Sequence, residues 1–319
     1  MRILALALFL ASETASLMPG TPPQELMTLP TPSPIRFFNL ARSGSLAAAV
    51  CRDHQLRLWA LPQGRLVSTV ELGDQAFEMT AISGDGRSFL VADHSGSATV
   101  WDTSAGKVQW QIRLAHYPGL VVFSHNGRLL ALAAQGDPVQ VFDLAGKRKL
   151  YELEQTAGGT AAAAFSRDGA LLATADADTG VRVYDGHSGK LVSRNGDFLG
   201  EPLAVDFTAD GKQVVAAGAD KAVAVIDAAS GRLLRHLAKT AEPVAYLEVS
   251  PRGGSVATLF MNAENLLEPA AVTVWDIASG RRLTEWLPPS LPIGGGWTVD
   301  DHLLVATATP EAVHFWRVW

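Results

Sequence analysis

The sequence predicts an all-β protein, a ring of seven four-stranded antiparallel blades, because one turn recurs at a constant spacing. The turn has the form S-x-D-G with variations such as ARSG and SPRG, and its glycines stand 41 or 42 residues apart. In the first five units, the residue fifteen positions after this glycine ends a strand-like run, as in LRLWA and ATVWD. A period of about 42 residues with strand patterning is typical of a β-propeller. The turn glycines are Gly44, Gly86, Gly127, Gly169, Gly211 and Gly253.

Each unit shows the elements of one blade in the same order. Apolar and polar residues alternate with a period of two, which indicates strands rather than helices. The Asp or Asn followed by Gly in the S-x-D-G turn suits a hairpin between the first two strands. The third strand ends at an aromatic-Asp pair, as in VWDTSAGK, and a fourth begins after the S-G-K or S-G-R turn.

The last two units depart from this spacing. In the sixth, 22 residues separate Gly253 from Trp275, so this unit carries seven extra residues. The seventh has no glycine turn, and counting back fifteen residues from Trp316 reaches Asp301. Its sequence supplies three strands, and an unpaired edge inside a ring would be costly. We therefore expect a strand at about residues 25–29 to complete the last blade and close the ring.

The S-x-D-G turns, the aromatic-Asp pairs and an Asp six residues before the aromatic residue resemble those of the WD-repeat family of β-propellers, over residues 25–319. That Asp is present as Asp53, Asp178 and Asp220, whereas the family's Gly-His pair is missing. The resemblance therefore implies the fold but not the family's buried Asp-His-Ser/Thr-Trp network. We expect apolar packing to hold the blades together. The loose pattern is similar to that of bacterial WD-like repeat proteins.

The first sixteen residues do not follow the repeat pattern. Arg2 precedes an apolar run from Ile3 to Ala11 and then small and polar residues, which is the layout of a secretory signal. We predict a signal peptide at residues 1–16, a short tail at 17–24 and one propeller at 25–319. The run is too short for a stable membrane span. The protein is then exported to the periplasm or secreted, or is cytoplasmic if the segment is not a signal.

Composition excludes several classes of function. The formal charge is −6 and there is no basic stripe, which argues against nucleic-acid binding. The single cysteine, Cys51, excludes an intramolecular disulfide and suits a small core residue better than a nucleophile. We find no motif for a nucleotide, metal protease or hydrolase site, so no cofactor is predicted.

The seven extra residues of the sixth unit give the candidate partner-binding surface. They lie between its second and third strands, so they share a face with His54 and His94, which occupy the equivalent connections of adjacent units. Exposed apolar residues in a loop often mark a partner, although they can also fold back onto the blade. The two histidines can alternatively bind a metal. The candidate residues are Met261, Glu264, Asn265, Leu266, Leu267, His54 and His94.

Two other features suggest chemistry in the channel. Asp206 and Glu248 stand two residues before the turn in adjacent units, and Asn39 is their equivalent in the first. Such carboxylates can split their pKa values and act as acid and base, or they can simply accept hydrogen bonds from the backbone. The run LPIGGGW at 291–297 aligns with the inner strand of the seventh unit, and a ligand loop is the alternative.

The resemblance implies a non-catalytic protein-interaction scaffold or accessory subunit, monomeric by itself, whose partner is another protein. Fold alone does not establish function. The alternative is a periplasmic propeller that binds a small ligand or metal at the channel mouth, with or without enzymatic activity. Polar residues with perturbed pKa around a deep pocket would favour that alternative. The inner-strand segments GLVVF, TAAAAF and GGGW are mostly small and apolar, which favours the scaffold.

Overall fold

The computed structural model describes residues 22–73, 77–154, 156, 158–177, 180–196, 202–240, 242–260, 271–309 and 312–319. In this part of the chain, 28 strands form seven four-stranded antiparallel sheets. The strands are β1 (Gln24–Pro30); in blade 1, β2 (Ile35–Leu40), β3 (Leu46–Cys51), β4 (Gln55–Ala60) and β5 (Arg65–Glu71); in blade 2, β6 (Phe77–Ile82), β7 (Ser88–Asp93), β8 (Ser97–Asp102) and β9 (Lys107–Arg113); in blade 3, β10 (Pro118–Phe123), β11 (Leu129–Ala134), β12 (Gln140–Asp143) and β13 (Arg148–Glu152); in blade 4, β14 (Thr160–Phe165), β15 (Leu171–Asp176), β16 (Gly180–Asp185) and β17 (Leu191–Asn195); in blade 5, β18 (Pro202–Phe207), β19 (Gln213–Gly218), β20 (Ala222–Asp227) and β21 (Leu233–Lys239); in blade 6, β22 (Val244–Val249), β23 (Ser255–Phe260), β24 (Val272–Asp276) and β25 (Arg282–Trp286); in blade 7, β26 (Pro292–Trp297), β27 (Leu303–Ala308) and β28 (Ala312–Arg317).

The S-x-D-G turn is held by its own side chains. In blade 2, Ser83 Oγ donates to Asp85 Oδ1 at 2.7 Å and accepts from the backbone N–H of Ser88 at 2.9 Å. Asp85 Oδ1 also accepts from the N–H of Arg87, and Gly86 takes a φ of 74°, which favours glycine. These bonds satisfy the turn locally, which explains why the same four-residue pattern recurs along the chain.

The aromatic-Asp pair ends the third strand for a similar reason. Asp102 Oδ1 accepts from the N–H of Ser104 and of Ala105, each at 2.8 Å, and the chain then turns through Gly106 at a φ of 61°. The Asp therefore caps the turn that leads into the fourth strand. The same cap forms at Asp185, Asp227 and Asp276.

Strand β1 closes the ring, as the sequence predicts. It pairs antiparallel with β28, with Leu29 opposite Val313, and sheet order is β1-β28-β27-β26. Leu29 is buried in an apolar cluster that also contains Phe38 of blade 1 and Phe315 of blade 7. The first and last strands of the chain are thus joined both by a hydrogen-bonded ladder and by a shared core.

Apolar clusters occupy the seams between adjacent blades, which confirms the expected mode of packing. Leu90 of blade 2 and Leu130 of blade 3, for example, share one cluster and are fully buried. A remnant of the family's polar network is present as well. Trp275 Nε1 donates to Thr258 Oγ1 and Trp316 Nε1 donates to Thr307 Oγ1, each at 3.0 Å. No helix in the described residues is long and apolar enough to cross a membrane.

Candidate functional site: the channel and the two faces

The antiparallel blades give the ring two different faces. The turn face carries the connections between the first and second and between the third and fourth strands of each blade. The loop face carries the connections between the second and third strands and those between blades. The central channel connects the two faces and is lined by the first strand of each blade.

The candidate partner-binding histidines lie on the loop face. His54 sits in the β3–β4 connection with a φ of 63°, and His94 sits in the β7–β8 connection with its ring stacked on Tyr117 at 5.4 Å. The other candidates, Met261, Glu264, Asn265, Leu266 and Leu267, lie outside the described residues. Among those the structure describes, no group of three or more His, Cys, Asp or Glu residues is placed to hold a metal ion.

The second positions of the S-x-D-G turns converge on the turn-face end of the channel. A small cavity of about 50 Å³, open to solvent, lies there, and most of these positions line it. Nothing in the turn pattern itself distinguishes the second position, so no sequence signal points to these residues. The second positions are Arg42, Gly84, His125, Arg167, Ala209, Pro251 and Val299.

Arg42 reaches across the channel from blade 1. Its guanidinium Nη1 lies 3.2 Å from Asp206 Oδ2 of blade 5, and its Nε lies 3.7 Å from Glu248 Oε1 of blade 6. Both carboxylate side chains are almost fully buried, whereas that of Arg42 is 34% exposed. One cation therefore pairs with two buried carboxylates and ties three blades together.

The structure brings Asp206 and Glu248 together around Arg42 and gives them different roles. Asp206 accepts from the backbone N–H groups of Phe207 and Val249, each at 2.9 Å. This is the second of the two roles that the sequence allows, an acceptor of backbone hydrogen bonds. Glu248 accepts from the hydroxyl of Tyr246 at 2.8 Å. Burial raises the pKa of Glu248, and the Arg42 charge opposes that rise.

Asn39, the equivalent position in blade 1, takes no part in this ion cluster. Its Nδ2 donates instead to Thr80 Oγ1 of blade 2 at 2.7 Å. The shared register thus places all three residues at the channel. Their partners differ because Arg42 reaches Asp206 and Glu248 across the channel, whereas Asn39 bonds to the neighbouring blade.

The tautomer of His125 follows from its contact with Arg42. His125 Nε2 lies 3.1 Å from Arg42 Nη1, and because a guanidinium only donates, Nε2 must accept. Burial, and then the Arg42 charge, lowers the pKa of His125 to about 4, so the ring is neutral at pH 7 with its proton on Nδ1. That Nδ1–H is buried with no hydrogen-bond partner among the described residues.

A second cavity, of about 1000 Å³ including the space open to the channel, lies beside the triglycine segment. The segment is the inner strand β26, as predicted, and it is crowded on one side: a Cβ on Gly295 would lie 2.7 Å from the Leu304 carbonyl oxygen. The glycines contribute no side chains to this part of the channel, and the cavity lies next to them. Tyr246, Val272 and Val305 are among the lining residues.

The repeat, the seven sheets and the closed ring define a WD-repeat β-propeller. The chain belongs to the NWD2 C-terminal β-propeller family, whose model matches residues 31–241. Among solved structures, a chain in the crystal structure of the mitotic checkpoint complex is similar in fold, with a TM-score of 0.77. It is 16% identical, over 97% of this chain and 99% of that one. The chain matches no curated protein sequence.

Proposed function

We propose that this protein is a non-catalytic scaffold or accessory subunit that binds another protein through its loop face. The observation that carries the proposal is the length of one connection. Residues 261–271 join β23 to β24, whereas the equivalent connections of blades 1, 2, 4, 5 and 7 have three residues. The extra residues include Met261, Leu266 and Leu267, which strand pairing does not require.

Two further points support a scaffold. WD-repeat propellers are typically non-catalytic platforms, and the similar propeller chain was crystallised within a protein complex. The channel carboxylates are held by Arg42 and by backbone N–H groups, which favours a structural role for them over a catalytic one. We also propose that residues 1–16 are a signal peptide, which would bring the scaffold to a partner outside the cytoplasm, and that the protein is of the bacterial WD-like type.

The scaffold is tested by chemical cross-linking in the native cell, followed by quantitative mass spectrometry. The wild-type protein is compared with Leu266→Ser/Leu267→Ser and with a control, Leu191→Ser/Val192→Ser. The control removes two exposed apolar side chains from the outer strand β17. We expect one stoichiometric partner in the wild type and the control, reduced roughly tenfold in the loop variant, as for a loss of about 1.4 kcal/mol. Equal recovery from all three would refute a contact through this loop.

The cavity beside the triglycine segment supports a second candidate, a small-ligand site in the channel. Its walls are largely apolar, and Tyr246 on its border is hydrogen-bonded to Glu248, whose pKa is raised. An apolar pocket with a few convergent polar groups is the usual form of a ligand site. A metal would require ligands beyond those that the described residues bring together.

This second candidate is tested by native mass spectrometry and metal analysis of the protein purified from its own cells. Val305→Phe fills the cavity, whereas Val215→Phe places the same side chain on the second strand of blade 5, in a fully packed seam. We expect a co-purified small molecule to be lost in Val305→Phe while the fold is kept, and Val215→Phe to destabilise the fold by about 1–3 kcal/mol. Wild-type protein free of both ligand and metal counts against the candidate.

A further inference from the structure

The connections on the turn face are rich in basic residues, in a chain whose formal charge is −6. They contain ten Lys and Arg residues and five Asp residues. The described loop-face connections have the opposite balance, with two basic and five acidic residues. The turn-face basic residues are Arg42, Arg87, Arg128, Lys147, Arg167, Lys190, Lys212, Arg232, Arg252 and Arg281.

The side chains on this face are arranged so that the cations point outward. All the basic residues in these connections except Arg42 are exposed. Four of the five acidic residues bind backbone N–H groups of the turns: Asp85, Asp168 and Asp210 each accept from the residue two positions on, and Asp301 accepts from Arg252. The turn face therefore presents its positive charge to a partner and uses its negative charge to hold its own backbone.

The centre of this face is the cavity described above. Arg42, Arg167 and Glu248 line it, and the Nδ1–H of His125 is buried with no partner among the described residues. Arg167 also crosses from blade 4 to the carbonyl of Pro251, to which its Nη1 donates at 2.6 Å. Val299, which is 56% exposed, adds an apolar rim.

We propose that the turn face binds an acidic peptide segment of a partner protein, with one carboxylate bound by Arg167 at the mouth of the cavity. The proposal rests on the scaffold function and adds a second contact surface with a defined chemistry. Guanidinium groups bind carboxylates with good geometry, and complementary charge speeds and orients association. The apolar rim contacts a neighbouring aliphatic residue of the peptide.

A peptide fits this face better than a nucleic acid does. Asp85, Asp168 and Asp210 lie between the cations in the turns of blades 2, 4 and 5, so the positive surface is not continuous. A phosphate backbone favours a continuous basic surface, and the overall charge of −6 opposes a long polyanion. A peptide can place separate carboxylates against separate cations.

The test is fluorescence anisotropy with the purified full chain and a fluorescent peptide of mixed Glu and Leu residues. Arg128→Glu/Lys212→Glu reverses two exposed charges on the turn face. The matched control, Arg52→Glu/Lys239→Glu, makes the same change of net charge at exposed positions toward the loop face. We expect binding that weakens with salt, a loss of at least about tenfold in the turn-face variant, and little change in the control. Arg167→Gln should weaken binding as well.

Several results would overturn the inference. One is that the wild-type chain does not bind the peptide. The others are an equal loss of peptide affinity in the two charge-reversal variants, and tighter binding of single-stranded DNA than of the peptide. Salt-sensitive self-association that the turn-face variant abolishes would show that the occupant is a second copy of the chain. Because the assay uses only purified chain and peptide, it is separate from the cross-linking test: a partner captured through the loop face without peptide binding overturns this inference alone.

Discussion

Replacing Arg42 with methionine should lower the free energy of unfolding by about 3 kcal/mol at pH 7, because it leaves two buried carboxylates without their cation. Methionine keeps much of the aliphatic packing, so the loss reports mainly on the charge. The change is measured by urea unfolding followed by tryptophan fluorescence. The control is Arg87→Met, whose side chain is 87% exposed and should change stability by less than about 0.5 kcal/mol.

The pH dependence of this loss tests the cause. Burial raises the folded-state pKa of Glu248, and removing Arg42 takes away the charge that opposes the rise. A carboxyl whose pKa is raised in the folded state binds its proton more readily there, so stability is lost as pH increases through that pKa. The deficit of Arg42→Met should therefore be smaller at pH 5 than at pH 7. An equal deficit at both pH values, or an equal one in Arg87→Met, would contradict this explanation.

Deleting residues 1–31 should open the ring and cost about 5 kcal/mol or more, which is comparable to the whole stability of many domains. The deletion removes β1, exposes the edge of β28 and takes Leu29 out of its cluster with Phe38 and Phe315. Deleting residues 1–21 removes only residues before β1 and is the matched control. Urea unfolding, followed by the fluorescence of Trp316 and Trp319, compares the two chains.

Addition of the missing strand gives a second readout. A synthetic peptide of residues 22–34 should restore the unfolding midpoint of the deletion variant, because it can pair with the exposed edge of β28. The same peptide should not change the shorter deletion, in which β1 already occupies the edge. If both deletions unfold at the same urea concentration, β1 does not hold the ring closed.

The blades could be predicted in detail because their determinants are local. The Asp85 and Asp102 caps each bond within three residues of themselves, so the same few residues make the same turn wherever they occur. Six such turns, together with the same spacing counted back from Trp316, were enough to predict seven blades. Closure by residues 25–29 followed because the last unit supplied three strands, and the observed β1, Gln24–Pro30, includes that range.

The channel site could be predicted only in part. A shared register two residues before the turn placed Asp206 and Glu248 at the channel, but nothing nearby in the sequence points to Arg42, which is 164 residues from Asp206. Nor did spacing reveal that His125 would meet the same guanidinium or that Gly294–Gly296 would border a cavity.

The sequence by itself determined the repeating unit, the number of blades and the strand that joins the ends, because turn chemistry and strand alternation act over a few residues. Only the tertiary structure decided which side chains meet across the channel and how charge divides between the two faces. Those properties depend on closing the ring, which brings the second positions of distant turns within reach of one another and gathers the basic turn residues on one surface.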